Sequence, residues 1–148
     1  MRRSLSLLAL LLACGGPAPY DPNALAAGEF LHSLYFKPTQ LVIRDQQTWN
    51  AEWPHLSGDL SAPPLIDFTD TMVLIAALGE RPSSGYQVTM DNIRIVQGGS
   101  LAVVVMETRP GEGCGLLQVT TTPAQLMLAP KTSSGVVFSA ASQVRNCR

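Results

Sequence analysis

Tyr86-Gln87-Val88-Thr89-Met90-Asp91, continued by Ile93 and Ile95, is the stretch that decides the fold. Tyr86, Val88 and Met90 fall on one side of a two-residue period and Gln87, Thr89 and Asp91 on the other, as in a strand with one face on a core and one in water. Upstream, Met72 to Leu78 is a nearly continuous apolar run, too short for a helix to be read from it, and its neighbours make it a strand. Downstream, Gln97-Gly98-Gly99-Ser100 turns the chain into Leu101 to Met106, which is apolar on both faces and is expected at the centre of a sheet. Leu117, Val119 and Thr121 alternate with Leu116, Gln118 and Thr120 as a further strand. Pro123 marks an edge or an entry, Leu126 to Leu128 precede Pro130, and Val136-Val137-Phe138 makes a last strand.

Before this series, Gln40 to Arg44 reads as a strand and Asp45 as the cap of a short helix that Pro54 helps to end. Trp49 and Trp53 share one face of that helix. Such a pair can be a sugar-stacking platform, but at helical spacing it is weighed as core, since aromatics have the largest area to bury. Pro63-Pro64 opens an extended segment through Phe68. Short strands, hairpin turns, one helix and no helix-strand alternation predict an all-β or β-dominated α+β domain: a small sandwich or rolled antiparallel sheet with one short helix.

The amino terminus carries a different message. Arg2 and Arg3 precede an apolar segment from Leu5 to Ala13 that stops at Cys14, far short of the roughly 20 residues a membrane span needs. Leu11-Leu12-Ala13-Cys14 resembles the lipobox of bacterial lipoproteins, with Leu12 where a small residue is more usual. The resemblance implies that residues 1–13 are a removed signal peptide and that Cys14 is the acylated first residue. Residues 14–28, with Pro17, Pro19 and Pro22, form a flexible tether, and 29–148 a single domain. Gly15 after the cysteine favours the outer membrane by resemblance to Gram-negative sorting rules, so the expected location is the bacterial cell envelope, facing periplasm or surface. A multiply acylated cysteine, at about 0.8 kcal/mol per buried methylene, anchors stably, and the lipid is the expected membrane contact.

With Cys14 assigned to lipid, Cys114 and Cys147 remain in an oxidising compartment, and a disulfide between them is predicted over two unrelated thiols. It would close about 30 residues and contribute about 3–4 kcal/mol through chain entropy. A net charge of −1 gives no basic surface for nucleic acid.

Residues that could do chemistry are scarce. His32 and His55 have no cysteine or carboxylate cluster beside them and lack helical metal-site spacing, so no metal and no cofactor is expected. A disulfide-bonded Cys114 cannot be a nucleophile. Ser83-Ser84-Gly85 lacks the Gly-x-Ser-x-Gly context, and Asp67, Asp70, Glu80 and Asp91 sit beside turns or strand ends where carboxylates are solvated. The chain is expected not to be an enzyme. What stands out are loops: Gly79 to Tyr86, Arg109 to Gly115, and Ala129-Pro130-Lys131. They either form a stiff binding edge or simply turn corners, with Gly85 and Gly111 supplying positive φ.

Gly79-Glu80, Ser84-Gly85-Tyr86, Val88, Pro110-Gly111 before Cys114, Thr122-Pro123 and Ala129-Pro130-Lys131 together resemble the PrcB carboxy-terminal domain family, from about Trp53 to Lys131. The family's usual Thr-Gly-Gly-Tyr is Ser-Ser-Gly-Tyr here. The family is named for a lipoprotein subunit of a bacterial surface protease complex, a subunit that stabilises or assembles with the protease without being one. The resemblance implies a non-catalytic β-rich module at the cell envelope and names no partner; with the loops, the expectation is a module that engages an extracytoplasmic protein, a protease being one candidate, through Arg81, Ser83, Ser84, Gly85, Tyr86 and Lys131, with Tyr86 as the anchor and Arg81 as a polar contact. Arg81-Pro82-Ser83-Ser84-Gly85-Tyr86 is also similar to the first loop of chagasin-like protease inhibitors, which dock three loops into a protease cleft. Gly111 to Gly115 and Ala129-Pro130-Lys131 would then be the other two, the last without that family's Trp.

Overall fold

The computed structural model describes residues 27–147, so the signal segment, Cys14 and most of the predicted tether lie outside the described residues. Along the chain run β1 (Ala27–Phe30), β2 (Thr39–Ile43), α1 (Gln46–Ser57), β3 (Thr71–Ala77), β4 (Gln87–Ile95), β5 (Leu101–Pro110), β6 (Ala124–Pro130) and β7 (Val136–Arg145). They form two sheets, ordered β1-β6-β3-β2 and β4-β5-β7. The expected β-dominated sandwich with one helix is the observed architecture.

β3 shows how the sequence builds it. Met72, Leu74 and Ala76 face the second sheet, where they meet Val88, Met90, Val103 and Val105. Val73, Ile75 and Ala77 face the other way and join Ile43, Ala124 and Leu126 under the helix residues Trp49 and Leu56. The molecule therefore has three layers, helix on sheet on sheet, with two cores on the two faces of the first sheet. A strand covered on both sides has no polar face to show, and each of its fully buried Val, Leu or Ile side chains contributes about 1.5–3 kcal/mol. β5 is central in its own sheet, as expected, but only one face is covered: Leu101, Val103 and Val105 are buried while Ala102, Val104 and Met106 are partly exposed.

The helix starts where Asp45 accepts a hydrogen bond from the Thr48 amide at 2.8 Å. Pro54 does not end it. The carbonyl that loses its partner to the proline, and that the ring crowds, belongs to Asn50 on the exposed side of the helix, where it can turn toward solvent. The stop comes at Gly58, whose φ of 74° suits glycine and whose N–H reaches the Pro54 carbonyl at 3.0 Å. Trp49 is fully buried, its indole N–H bonded to the Pro64 carbonyl at 2.9 Å, and its ring lies 5.2 Å from that of Trp53. The pair is core, and no platform.

Three departures matter for the site. Leu116 to Thr121 joins neither sheet and is a loop: Leu117 and Val119 are exposed, and the backbone groups of Leu117 and Thr121 bond to Ser84 and Arg81 in the 79–86 loop. β7 runs parallel to β5 because the intervening β6 lies in the other sheet, so the chain returns from the far end. β1 takes Ala27 and Gly28, read above as tether, into the first sheet against β6.

Candidate functional site

Strand polarity gathers one set of loops at one end. β3 delivers the chain into residues 78–86, β5 ends at Pro110 and opens the loop that returns as β6, and β1 ends at Phe30 opposite Ala124. Because β7 is parallel to β5, its end arrives here too, and Cys147 is joined to Cys114 as predicted. This end is knitted together. Arg81 and Thr121 exchange backbone hydrogen bonds of 2.8 and 2.9 Å, the Ser84 amide donates to Leu117 at 3.0 Å, and the Leu117 amide donates back to the Ser84 hydroxyl at 2.9 Å. Ser33 and Thr122 are buried against each other, the Ser33 hydroxyl donating to the Thr122 carbonyl at 2.8 Å.

The residues singled out by sequence have distinct positions in this network. Ser83 is buried and its carbonyl accepts from the Thr121 hydroxyl at 3.2 Å. Gly85, at φ 98°, holds a backbone conformation that side chains disfavour, and a Cβ there would lie 2.7 Å from Leu116 Cδ2, which would have to move. Positive φ in the next loop belongs to Gly113, and Gly111 has none. Tyr86 is half-buried against the core between the sheets, with the Arg81 guanidinium 5.9 Å from its ring centroid. Arg81 also donates to Glu107 at 2.9 Å and to the carbonyls of Leu78 and Glu80, both at 2.9 Å. Arg81 thus braces the loop from inside. Burial would raise the Glu107 pKa, but hydrogen bonds from Arg109 and Arg81, with their charges, outweigh it and hold the carboxyl below its ordinary value.

Lys131 is elsewhere. It follows Pro130, which pairs with Thr71 at the start of β3, so the length of β3, about 20 Å at 3.3 Å per residue, separates it from the 79–86 loop. There its ammonium donates to the Phe68 carbonyl at 2.6 Å. The three-loop wedge implied by the inhibitor resemblance is therefore not assembled: Arg81–Tyr86 and 111–115 share one end, and Ala129-Pro130-Lys131 occupies the other.

What the sequence reading missed are the apolar side chains around the knitted end. Leu31, Phe36, Leu117 and Val119 are 47, 60, 71 and 45% exposed. Backbone bonds tie three of them to the loop: the Phe36 carbonyl accepts from Glu80, the Leu117 carbonyl from Ser84, and the Leu31 carbonyl from Thr122, neighbour of the Arg81-paired Thr121; Val119 lies two residues from Leu117 in the same segment. Leu117 and Val119 were visible as alternating residues, but alternation alone does not distinguish a face turned to a core from one turned to solvent. Among the described residues no group of three or more His, Cys, Asp or Glu is placed to hold a metal ion. His55 lies 3.8 Å from Glu52, and His32 pairs through its backbone with Thr122.

Residues 72–127 match the family model described as PrcB C-terminal. The family resemblance is borne out over that stretch. The PrcB-like segment runs from β3 through β4, β5 and the knitted loops into β6, and contains every singled-out residue of the 79–86 loop and Cys114. Lys131, Cys147, α1 and β7 lie outside it. No match to the chain was found among curated proteins or among solved structures.

Proposed function

We propose that this protein is a lipid-anchored, non-catalytic module of the bacterial cell envelope that docks onto an extracytoplasmic protein, a protease subunit being the class the PrcB likeness suggests. The observation that carries the reading is the ring of exposed Leu31, Phe36, Leu117 and Val119 on a scaffold made rigid by the disulfide, the Arg81–Glu107 pair and the Ser84–Leu117 bonds. Large apolar side chains held in water are unfavourable for a monomer and mark protein-interaction surfaces when they gather. A stiff surface loses little conformational freedom on docking, so more of the burial appears as affinity. Leu117 and Phe36 are the side chains on which docking turns, and Arg81 and Tyr86 hold the loop that presents them.

The anchor rests on residues outside the described part, Arg2, Arg3 and the Leu11-Leu12-Ala13-Cys14 motif. Changing Cys14 to Ser moves the protein from the membrane to the soluble fraction; retention at the membrane would remove the anchor from the proposal. Docking is tested by placing a photoactivatable crosslinker at Leu117 or Phe36 in native membranes. A discrete adduct with an extracytoplasmic protein at both positions is the expected result. Turnover of a generic ester, glycoside or peptide substrate by the purified chain would overturn the non-catalytic role.

A further inference from the structure

Beside the apolar ring, a cavity of about 280 Å³ opens between the end of β1 and the start of β4. Phe30, Leu31, Tyr86, Val88 and Pro123 line it, with Glu29 on the β1 side and Gln87, whose amide oxygen accepts from Arg145 at 3.0 Å, on the β4 side. Its volume is at the bottom of the roughly 300–1,000 Å³ range of ligand sites, and its place beside a strand edge suits a side chain carried by an extended segment. Glu29 is exposed, and among the described residues its carboxylate makes no ion pair or hydrogen bond. The socket's lining is thus mostly apolar, with the negative charge of Glu29 on its β1 side and the Arg145 cation on its β4 side. Among the described residues β1 is an outer strand of its sheet, paired with β6 alone, so within that part of the chain the backbone next to the socket offers an edge along which an extended segment can lie. Further along the same seam the other outer strand, β4, is closed off where the Met90 amide donates to the buried Gln125 side chain at 2.5 Å, which confines the opening to the Tyr86 end.

Resting on the docking reading above, we infer that the socket receives one bulky apolar side chain, Leu or Phe, from an extended segment of the partner protein, with an adjacent Lys or Arg of that segment meeting Glu29. The partner's specificity then resides in an apolar-basic pair, and the surrounding ring supplies area.

The probes are two fluorescein-labelled peptides, Gly-Gly-Leu-Arg-Gly-Gly and Gly-Gly-Leu-Glu-Gly-Gly, titrated by anisotropy against the full-length protein. The Leu-Arg peptide binds about two- to fivefold more tightly, as expected for one exposed ion pair, and the order reverses in Glu29→Lys. Leu31→Asp weakens both peptides, whereas Ile95→Asp, at the opposite end of β4, leaves them unchanged; circular dichroism confirms that each variant is folded. Absence of binding, no reversal in Glu29→Lys, or loss in Ile95→Asp equal to that in Leu31→Asp would overturn the socket. So would self-association on sedimentation that Leu31→Asp abolishes, since the occupant would then be a second copy. If adducts at Leu117 and Phe36 persist while the peptides fail, the socket falls and the docking reading stands; if both fail, both fall.

Discussion

Arg81 was read from the sequence as a polar contact for a partner, and the structure gives its guanidinium three internal acceptors instead. The distinction has a measurable consequence. Glu107, which binds both Arg81 and Arg109, has a folded pKa held below its ordinary 4.5. A carboxyl lowered on folding adds stability at pH values above its unfolded pKa, and that stability is lost as pH falls through the folded value. Glu107→Gln is expected to lose about 1.5–3 kcal/mol at pH 7, the range for hydrogen bonds to charged groups, and less at pH 3, so that urea unfolding curves of variant and wild type converge in acid. A constant difference between the two pH values would mean that Glu107 acts only by its shape. Gly85→Ala tests the loop itself. Leu116 Cδ2 can swing away from the new methyl, but the backbone cannot leave φ 98° without breaking the Ser84–Leu117 bonds. A cost of about 1–3 kcal/mol in chemical denaturation is expected.

Among the elements, β3 was readable because covering both faces of a strand removes polar residues from it altogether, and β4 as far as Met90 because covering one face leaves a period of two; beyond it a register shift between Asp91 and Arg94, with Asn92 at φ 51°, breaks the period, and Ile95, expected to continue the core face, is exposed. α1 was readable from its cap at Asp45, but its end was misplaced at Pro54, because proline disrupts only where the lost bond cannot be replaced. The 116–121 segment was misread because periodicity reports apolar spacing and says nothing about an available sheet edge. β7 was seen only at Val136-Val137-Phe138. Its remainder, Ser139 to Arg145, is mostly exposed and polar, and is held as a strand by backbone bonding to β5 and by the disulfide just beyond it. Replacing both Cys114 and Cys147 by Ser is expected to cost about 2–4 kcal/mol and to speed amide exchange at Gly111, Leu117 and Cys147, whose bonds lie in the clamped loops, before it affects β3. Uniform acceleration throughout β3 would show the disulfide to be global in effect. Trp49→Ala, emptying the core beneath α1, is expected to cost about 3–5 kcal/mol.

At the scale of the whole molecule, strand direction decides which sequence motifs share a surface. The Arg81–Tyr86 loop and the disulfide loop were legible as a pair, and both lie at the same end. Lys131 was grouped with them because a loop is legible in sequence before the strands between loops are counted in space: three strands, β4, β5 and β6, separate it from the 79–86 loop, and an odd number puts the two at opposite ends. Leu31 and Phe36 carried no signal at all: their significance comes from lying next to Glu80 and Thr122, contacts that span long intervals of chain. The most direct measurement of the docking account is site-specific photocrosslinking in native membranes from Leu117, Phe36 and, at the far end of β4, Ile95, each with and without Glu introduced at the remaining ring positions. The account predicts one extracytoplasmic partner captured from Leu117 and Phe36, lost when the ring carries Glu, and not captured from Ile95; equal capture from Ile95, or none from Leu117 and Phe36, would contradict it.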